Sequence, residues 1–337
     1  SPTKTGFRHR VLINRRHLLL GAASAATLAA GTGGYAFAIE PYRLELAHYA
    51  LSPPQWQDGP DLRIVALADM HICEPWMPLD RVRQIVAAAN ALRPDLVVLL
   101  GDFVTHHRFV RGQVPYEAWT AALAELEAPL GRYAILGNHD WWEDIRWQYA
   151  RQGPTRVGEA LKAARIPVLE NDSVRMVANG KPFWLSGLGD QWAFWLYQNP
   201  NGEFVWGRRR EDHQSFGFQG VDDLPKTAAQ LTDDAPAILL IHEPDIFPEV
   251  RARYAVTLAG HTHGGQVQLL GWAPKIPSKF GTRYRHGHIV EADANGIERS
   301  LIVSAGLGCS GVPLRFGSPP ELVVLDLSPP RVARISA

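Results

Sequence analysis

The stretch Ala259–Val267 reads AGHTHGGQV and follows an apolar run, Ala255 to Ala259, that the sequence predicts to be a strand. It places His261 and His263 one residue apart in a glycine-rich turn. A single imidazole at the end of a strand is ordinary, but a pair needs a reason. The pair directs attention to polar residues at the ends of the other predicted strands.

Five apolar runs of the sequence each end in His, Asp or Asn. Asp69-Met70-His71 follows Leu62–Leu67, Gly101-Asp102 follows Asp95–Leu100, Gly137-Asn138-His139-Asp140 follows Tyr133–Leu136, His242-Glu243 follows Ala237–Ile241, and Gly260-His261-Thr262-His263 follows Ala255–Ala259. Binding sites of open α/β sheets form beyond the carboxyl ends of the strands. We therefore expect the five ends to converge on one crevice.

Each of these residues taken alone has an ordinary structural explanation. Asp69 and Asp102 could cap helices, Asn138 could occupy a turn, and His242 could be a hydrogen-bonded core histidine. The whole set is different, because burying it without a cation would be costly. The set comprises Asp69, His71, Asp102, Asn138, His242, His261 and His263. Oxygen and imidazole ligands, with Cys73 as the one nearby thiol, suit manganese, iron, zinc or magnesium.

In this order the residues resemble the signature of the calcineurin-like metallophosphoesterase superfamily. The signature runs Asp-x-His, Gly-Asp, Gly-Asn-His-Asp/Glu, a lone His and Gly-His-x-His, and the match spans roughly two hundred residues, the size of one domain. The resemblance implies an α/β (α+β) fold, a four-layer α/β/β/α sandwich of two mixed β-sheets. The GHTHGGQ form and the later run Gly306–Arg315 (GLGCSGVPLR) resemble the membrane-proximal, often twin-arginine-exported phosphodiesterase branch.

The resemblance also implies a role for each site residue. One divalent ion is expected on Asp69, His71, Asp102 and His263, and the second on Asp102, Asn138, His242 and His261. With Asp102 as the bridge, the two ions would share a hydroxide that attacks phosphorus in line. His139 is expected to act as an acid or electrostatic donor to the leaving oxygen. Asp140 has two alternatives, orienting His139 or capping a helix before Trp141.

Further segments of the sequence give the expected secondary structure. Helices are predicted over Leu79–Leu92 and Tyr116–Leu126, and additional strands over Phe183–Leu188, Gln266–Leu270, Ser300–Ser304 and Leu322–Leu327. The early strands alternate with helices, as in βαβ units, whereas the late strands are closely spaced. Part of the sheet system is therefore expected to be antiparallel.

The N-terminal residues 1–40 carry a targeting pattern rather than a folding pattern. Arg8, Arg10, Arg15 and Arg16 precede an uncharged run, 18–39, that is long enough to span a bilayer. The run Asn14–Leu19 resembles a twin-arginine export signal. Two alternatives stay open: a cleaved signal, with Ala36-Phe37-Ala38 as the cleavage site, and an uncleaved membrane anchor. We expect the phosphoesterase domain, 41–337, at the extracytoplasmic face of the cytoplasmic membrane or in the periplasm.

Composition excludes one class of partner. Lys plus Arg and Asp plus Glu are 34 each, so the chain has no basic field to indicate nucleic-acid binding. Cys73 and Cys309 could pair in an exported domain or stay as free thiols. The sequence does not fix an oligomeric state.

The substrate-contacting residues are less constrained by the sequence. Candidate phosphate-binding cations are Arg108, Arg111, Arg283, Arg285 and Arg315, and candidate substrate-contacting histidines are His106 and His107. The segment 191–218 concentrates tryptophans and arginines. It is interpreted either as an element beside anionic lipid or as a loop packed over the edge of the sandwich.

The expected activity is hydrolysis of a phosphodiester, with a phosphomonoester or a phospholipid as further substrate classes. One alternative is a pyrophosphatase acting on a nucleotide-linked lipid such as UDP-diacylglucosamine, as in some relatives. A non-catalytic scaffold is a distant alternative, because such a protein is expected to lose ligands and every signature residue is present here. A phosphate-ester substrate and membrane association are the expected partners.

Overall fold

The computed structural model describes residues 24, 27, 30–198, 201, 204–205, 214–293 and 295–331. A five-stranded sheet contains the first predicted strands. Its strands are β1 (Glu45–Leu51), β2 (Leu62–Leu67), β3 (Leu96–Leu100), β4 (Arg132–Ile135) and β14 (Glu321–Leu327), in the order β1-β14-β2-β3-β4. β2, β3 and β4 run parallel, whereas β14 is antiparallel to β2. The carboxyl ends of β2, β3 and β4 therefore meet at one edge of the sheet.

A six-stranded sheet packs against the first. Its strands are β5 (Asp172–Ala178), β6 (Lys181–Gly187), β10 (Ala237–Leu240), β11 (Tyr254–Ala259), β12 (Gly287–Ala292) and β13 (Glu298–Val303), in the order β12-β13-β11-β10-β6-β5. The four inner strands are parallel, and β5 and β12 are antiparallel edge strands. Both sheets are thus mixed, as predicted.

A smaller sheet of three strands lies within the Trp- and Arg-rich segment. It comprises β7 (Phe194–Gln198), β8 (Phe204–Val205) and β9 (Gln214–Gln219), in the order β8-β7-β9. These strands were not predicted, although Phe194–Tyr197 is a continuous apolar run, because the segment was interpreted as a loop or an interfacial element. Residues 206–213, with the arginine cluster 208–210, lie outside the described part of the chain.

The helices and 3-10 segments form the outer layers. Described α-helices are Leu79–Ala91, Tyr116–Leu123, Asn138–Trp142, Ile145–Ala150, Arg156–Ala163 and Leu224–Ala229; described 3-10 segments are Glu40–Tyr42, Pro54–Trp56, Pro244–Glu249, His263–Gly265 and Gly281–Tyr284. Residues 30–38 are also helical. The two predicted helices are confirmed, with ends that differ by one to three residues.

Three apolar clusters separate the layers. Ile64 of the first sheet and Ile238 of the second lie in the cluster between the sheets. The next residue of β2, Val65, points to the opposite face, where it packs with Ile85 and Trp119 of the helices. Successive side chains of a strand alternate between faces, so each inner strand contributes to two clusters.

The third cluster covers the outer face of the second sheet. It joins Leu239 and Val303 to Phe247 and Tyr284, which come from 3-10 segments. These segments and the short helix Leu224–Ala229 make this outer layer thinner than the helical layer on the first sheet. The predicted α/β/β/α order is confirmed, with a mostly 3-10 fourth layer.

The predicted strand Gln266–Leu270 is wrong. Gln266 and Leu270 have φ values of 53° and 51°, which interrupt an extended backbone at both ends of the run. The described pairings there are two isolated bridges, Val267 to Phe316 and Leu269 to Trp272. The alternating apolar pattern of the run reflects a tight hairpin and not a sheet strand.

The N-terminal segment meets the fold earlier than the expected boundary at residue 41. The main-chain N–H of Arg315 donates to the carbonyl of Ala36, and the Tyr35 ring lies edge-on to Phe316. Buried Glu40 accepts a hydrogen bond from the N–H of Ser318. Most of the run 18–29 and all of residues 1–23 lie outside the described residues. In the described part of the chain, no helix is both long and apolar enough to cross a membrane.

Candidate metal centre and substrate cavity

The predicted metal-binding side chains lie just beyond the carboxyl ends of β2, β3, β4, β10 and β11. Five of them have left-handed backbones, with φ of 52° at Asp69, 46° at His71, 55° at Asp102, 70° at His261 and 52° at His263. Residues with a Cβ seldom adopt this conformation, which costs of order 1–3 kcal/mol unless the surroundings enforce it. Its concentration here marks the strand ends as a functional site.

Two glycines allow carboxylates to approach the main chain. A Cβ at Gly260 would lie 2.6 Å from Oδ2 of Asp69, and a Cβ at Gly137 would lie 2.5 Å from Oδ1 of Asp102. Neither position has room for a side chain. The glycines of the sequence motifs are therefore required by the geometry of the acidic residues.

A first cluster joins Asp69, His71, Asp102 and His263, whose ligand atoms all lie within 4.8 Å of one another. Nε2 of His71 lies 2.9 Å from Nε2 of His263 and 3.5 Å from Oδ2 of Asp102. Nε2 of His263 lies 3.6 Å from Oδ1 of Asp69. Two nitrogens bound to one metal at about 2.0–2.1 Å lie about 3 Å apart when the bond angle is near 90°. The observed separation fits that arrangement.

A second cluster joins Asp102, His242 and His261, so Asp102 belongs to both. Nδ1 of His242 lies 2.7 Å from the carbonyl oxygen of Leu100, and Nε2 lies 3.4 Å from Oδ1 of Asp102. Nδ1 of His261 lies 2.9 Å from Oδ1 of Asn138. The structure thus separates the two histidines of the AGHTHGGQV stretch, placing His263 in one cluster and His261 in the other.

Burial dominates the protonation of three of the site histidines, His71, His261 and His263. It lowers the pKa of His71 to about 3 and holds the pKa values of His261 and His263 well below the ordinary range. The three rings are therefore neutral near pH 7. Neutral imidazole with a free lone pair is the form that binds a metal ion.

The two acidic residues respond differently to the same burial. Burial, reinforced by the charge of Asp102, raises the pKa of Asp69 to about 7. Burial also opposes ionisation of Asp102, but the neighbouring His242, His139 and His71 outweigh it and hold the pKa of Asp102 well below its usual range. Asp102 is therefore the permanent negative charge at the centre of the site.

The donor set passes a test of fit for divalent cations. Nε2 of His242 is buried and has no hydrogen-bond partner among the described residues, while its Nδ1 donates to the carbonyl of Leu100. A buried polar atom without a partner costs about 1–3 kcal/mol. Coordination by Nε2, with Nδ1 fixed by a backbone carbonyl, is the usual arrangement of a metal-binding histidine.

His139 lies between the metal-binding clusters and the solvent. Its main-chain N–H donates to Oδ1 of Asp102, and its ring lies edge-on to His71 with centroids 4.8 Å apart. Nδ1 lies 3.6 Å from Oε1 of Glu143, an electrostatic contact that is too long for a hydrogen bond. Burial lowers the pKa of His139, but Asp102 and Glu143 outweigh burial and raise it above the ordinary value.

Asp140 closes the first turn of the helix Asn138–Trp142, because its carboxylate, at the third helical position, accepts from the N–H of the N-cap residue Gly137. Its carboxylate accepts hydrogen bonds from the main-chain N–H groups of Asp102, Phe103 and Gly137, all at 2.9 Å. Asp140 therefore holds the loop that carries Asp102, and Glu143 is the carboxylate beside His139. The helix begins at Asn138, so Asp140 lies inside its first turn and not at the N-cap.

A buried acidic pair behind His242 was missed by the sequence analysis. Asp190, His242 and Glu243 bring their polar atoms within 4.8 Å of one another. Burial raises the pKa of both Asp190 and Glu243, so the pair retains a proton. Asp190 Oδ1 and Glu243 Oε2 accept from the N–H groups of Trp192 and Gln191. The Glu next to His242 was the available signal, but nothing in the sequence pointed to Asp190.

The predicted cations divide into surface and structural residues. Arg315 is fully buried, and its guanidinium donates to the carbonyls of Gly308 and Ser318 and lies 3.2 Å from Nδ1 of His263. Arg283 pairs with Glu291. Arg108 and Arg111 are exposed, and Arg285 donates to the carbonyl of Gly271. Arg315 thus supports His263 and is not among the described residues that line the cavity described below.

A cavity of about 610 Å³ opens beside both clusters. Among the described lining residues, Asp102, Asn138, His139, His261 and His263 form a polar wall, and Trp142, Trp192, Trp195 and Phe218 form an aromatic wall. Lys275 is the cationic residue among the described lining residues. Lys275 was not among the predicted cations, and neither His106 nor His107 is among the described residues that line the cavity.

The aromatic wall is built by mutual ring contacts. Trp192 stacks on Phe218 with centroids 4.5 Å apart, and Trp142 contacts Trp195 at 4.3 Å. Trp192 also lies edge-on to His261 at 4.5 Å. The described aromatic residues of the segment 191–218 therefore pack beside the residues of the two clusters. This packing is closer to the interpretation of the segment as a packed loop than to that of an element beside anionic lipid.

The two cysteines are free. Cys73 is buried and Cys309 is partly buried. Burial raises the pKa of the Cys73 thiol to about 11, so this thiol stays protonated at neutral pH. The structure thus favours the free-thiol alternative.

Comparisons with known proteins converge on one family. Residues 62–265 match the family model described as calcineurin-like phosphoesterase. The chain is 28% identical to the uncharacterized metallophosphoesterase YkuE of Bacillus subtilis over 94% of this chain and 98% of that protein. It is 28% identical to the phosphodiesterase YaeI of Escherichia coli over 94% of this chain and all of that protein.

A solved structure shows weaker similarity. The NAD nucleotidase of Haemophilus influenzae is 16% identical, with a TM-score of 0.44. The match covers 74% of this chain and 51% of the nucleotidase, so the chain spans about half the length of that protein.

Proposed function

Since the chain belongs to the calcineurin-like phosphoesterase family, a family of phosphoric ester hydrolases that use two divalent metal ions, we propose that it hydrolyses phosphodiesters. The observation that carries the proposal is the pair of ligand clusters that share Asp102. The Escherichia coli relative is a phosphodiesterase, which supports a diester over a monoester.

The proposed ligands of the first ion are Asp69, His71, Asp102 and His263. Those of the second ion are Asp102, Asn138, His242 and His261. When bound, two divalent cations lower the pKa of a shared water and neutralise the oxygens of the phosphate under attack. Manganese, iron, zinc and magnesium all suit these ligands.

The protein supplies the remaining chemistry through His139 and the cavity walls. His139 Nε2 faces Ser310 at 3.5 Å on the rim of the cavity, and the carboxylates around the ring favour its protonated form. A protonated His139 can donate to the leaving oxygen of the ester. Lys275 provides a positive charge for a phosphate oxygen on the same cavity surface.

The aromatic wall favours an amphiphilic substrate. Trp142, Trp192, Trp195 and Phe218 present apolar surface within the same cavity as the polar ligands. A phosphate ester with an apolar substituent could place its phosphate on the polar side and its substituent on the rings. A phospholipid fits this division, and a nucleotide-linked lipid such as UDP-diacylglucosamine is the alternative.

The proposed location is the extracytoplasmic face of the cytoplasmic membrane, reached by the twin-arginine route. The Arg15-Arg16 motif and the uncharged run 18–39 support this location. A location outside the cytoplasm favours a phospholipid over a nucleotide-linked precursor, because such precursors are made on the cytoplasmic side.

The test is hydrolysis by the purified full chain after chelation and add-back of each metal in turn. Bis-p-nitrophenyl phosphate and p-nitrophenyl phosphate report diester and monoester cleavage, and phosphatidylcholine and UDP-diacylglucosamine report the two lipid classes. We expect chelation to abolish diester cleavage and add-back to restore it. Faster cleavage of the monoester than of the diester with every metal would contradict the phosphodiesterase proposal.

A further inference from the structure

An exposed apolar hairpin follows the AGHTHGGQV stretch. Leu269 and Trp272 exchange two main-chain hydrogen bonds, of 2.8 and 3.0 Å, around the two-residue turn Leu270-Gly271. Leu269, Leu270 and Trp272 are 60%, 101% and 65% exposed. We name this hairpin, 269–272, the apolar tip. Three large apolar side chains on a four-residue protrusion form an unusual surface for a soluble protein.

Leucine is an unfavourable residue at the first position of this turn. The φ values of Leu270 and Gly271 are 51° and 83°, and such two-residue turns strongly prefer Asn-Gly. The same chain follows that rule elsewhere. The hairpin between β5 and β6 turns at Asn179-Gly180, with φ values of 52° and 75°. Leu270 therefore occupies a strained backbone position and buries no side-chain surface within its own chain.

The surroundings of the apolar tip carry positive charge. The guanidinium of Arg285 donates to the carbonyl of Gly271, and Lys275 and Lys279 are exposed shortly after the hairpin. Arg283 is also nearby in the chain, but its charge is paired with Glu291. Apolar side chains at the tip of a loop with cations at its base match the interface of an anionic bilayer.

The apolar tip is connected to both the cavity and the N-terminal segment. Val267 before the hairpin and Pro274 and Lys275 after it line the cavity. Gln268 donates from its N–H to the carbonyl of Phe316, whose ring contacts Tyr35 of the N-terminal helix. Insertion of the tip would therefore place the cavity beside the lipid surface, on the side where the run 18–39 joins the fold.

We propose that the apolar tip, Leu269–Trp272, inserts into the surface of a phospholipid bilayer. The proposal deepens the proposed membrane location, but it does not depend on which ester is cleaved. The partner is the bilayer and not another protein, because the exposed apolar side chains of the turn lie beside the Arg285 guanidinium, and two further exposed cations, Lys275 and Lys279, follow the turn in sequence.

The first experiment places an environment-sensitive fluorophore on Leu270→Cys in the full chain. Asn179→Cys provides the matched control, since it lies in a turn of the same type and is also exposed. The unmodified chain treated with the same reagent gives the background from Cys309. Vesicles contain phosphatidylcholine with or without phosphatidylglycerol, and brominated lipid serves as the quencher.

We expect the label at 270 to shift to the blue and to be quenched by brominated lipid, more strongly with phosphatidylglycerol. The label at 179 should do neither. Equal quenching at both positions would overturn the proposal. A shift at 270 that depends on protein concentration and occurs without vesicles would overturn it in favour of a protein interface.

The second experiment uses Leu270→Asn, which gives the turn its preferred residue. Loss of one inserted leucine should weaken contact with the vesicle by about tenfold. The contact is read as quenching of tryptophan emission by brominated lipid, and Trp272 supplies the affected part of the signal. The melting temperature should stay the same or rise, because the turn is relieved. Unchanged quenching in Leu270→Asn would contradict insertion.

Hydrolysis of bis-p-nitrophenyl phosphate separates this proposal from the proposed function. Leu270→Asn should retain wild-type turnover of this soluble diester. A chain that inserts its tip but cleaves no phosphate ester would leave the insertion intact and refute the function. A chain that cleaves the diester but whose tip stays in water would leave the function intact and refute the insertion.

Discussion

The two walls of the cavity differ in how they are built. The polar wall consists of strand ends from both sheets, fixed by left-handed backbones and by hydrogen bonds to Asp102 and Asp140. The aromatic wall consists of Trp142 from the end of a short helix and of loop and small-sheet residues, and its rings contact one another. We therefore expect the polar wall to carry the reaction chemistry and the aromatic wall to carry substrate choice. Substitutions on the two walls should therefore have different kinetic signatures.

The largest effect is expected for Asp102→Asn. Asp102 belongs to both clusters, and its negative charge is held by the surrounding imidazoles. Its loss should lower diester turnover by at least about 10³-fold, since several kcal/mol of transition-state stabilisation depend on the metal pair. Elemental analysis should show reduced occupancy of both ions. Full metal content in this variant would show that Asp102 is not the bridging ligand.

His139→Ala should lower kcat by about 10²–10⁴-fold while the metal content stays at the wild-type level. The variant loses the expected proton donor. Its metal content should not change, because His139 contacts the clusters through its main-chain N–H and the edge of its ring. Loss of metal in this variant would instead assign His139 to the ligand shell. A substrate with a more acidic leaving group should reduce the defect, which checks the donor role.

Asp140→Asn tests a residue that supports the polar wall without facing substrate. Both carboxylate oxygens of Asp140 accept hydrogen bonds from main-chain N–H groups, whereas the side-chain NH2 of asparagine cannot accept one. The free energy of unfolding should therefore fall by about 1–3 kcal/mol. Metal affinity should fall by about 10–100-fold, the usual cost of losing support for a ligand. Asp144→Asn removes another buried carboxylate, one that binds Arg146 and the N–H of Arg156, and provides the control. Asp144→Asn should destabilise the protein without lowering metal affinity.

Trp192→Ala tests the aromatic wall. Removing the ring should raise the KM for phosphatidylcholine by about tenfold, given 0.5–1.5 kcal/mol for an aromatic contact beyond its buried area. The KM for glycerophosphocholine, which lacks acyl chains, should change little. Trp272→Ala, which removes an exposed ring outside the described cavity lining, is the control for soluble substrates. An equal rise in KM for both esters would show that the wall does not discriminate.

The smallest effect is expected for Glu143→Gln. Burial lowers the pKa of His139, and Asp102 and Glu143 raise it, so removing Glu143 must lower the pKa. His139 is expected to act in its protonated form, so the basic limb of the kcat/KM profile should move to lower pH. Metal content and the acidic limb should not change. A basic limb that stays in place would exclude His139 as the group that titrates there.

The polar wall could be predicted from the sequence because its residues follow apolar runs in a fixed order. β2, β3, β10 and β11 are buried strands, and each ends two residues before an expected ligand. The edge strands β1 and β12 were missed, since alternate residues face solvent and no apolar run forms. The ligands could be predicted without knowing the order in which the strands pair.

The aromatic wall and the supporting carboxylates could not be predicted in the same way. Trp192 contacts His261, which lies 69 positions later in the sequence, and no short motif encodes that contact. Asp140 is adjacent to His139 in sequence, yet its carboxylate points to the amides of the Asp102 loop. Adjacency in the sequence therefore did not identify the carboxylate that lies beside His139. That carboxylate belongs to Glu143, one helical turn later, which was not predicted.

The left-handed backbones at the strand ends have a consequence for protein engineering. Copying the seven side chains onto another α/β scaffold would not reproduce this centre, because Asp69, His71, Asp102, His261 and His263 each point inward from a conformation that ordinary loops avoid. A graft has to carry the main-chain path, with Gly137 and Gly260, along with the ligands. The transferable unit is the set of five turns.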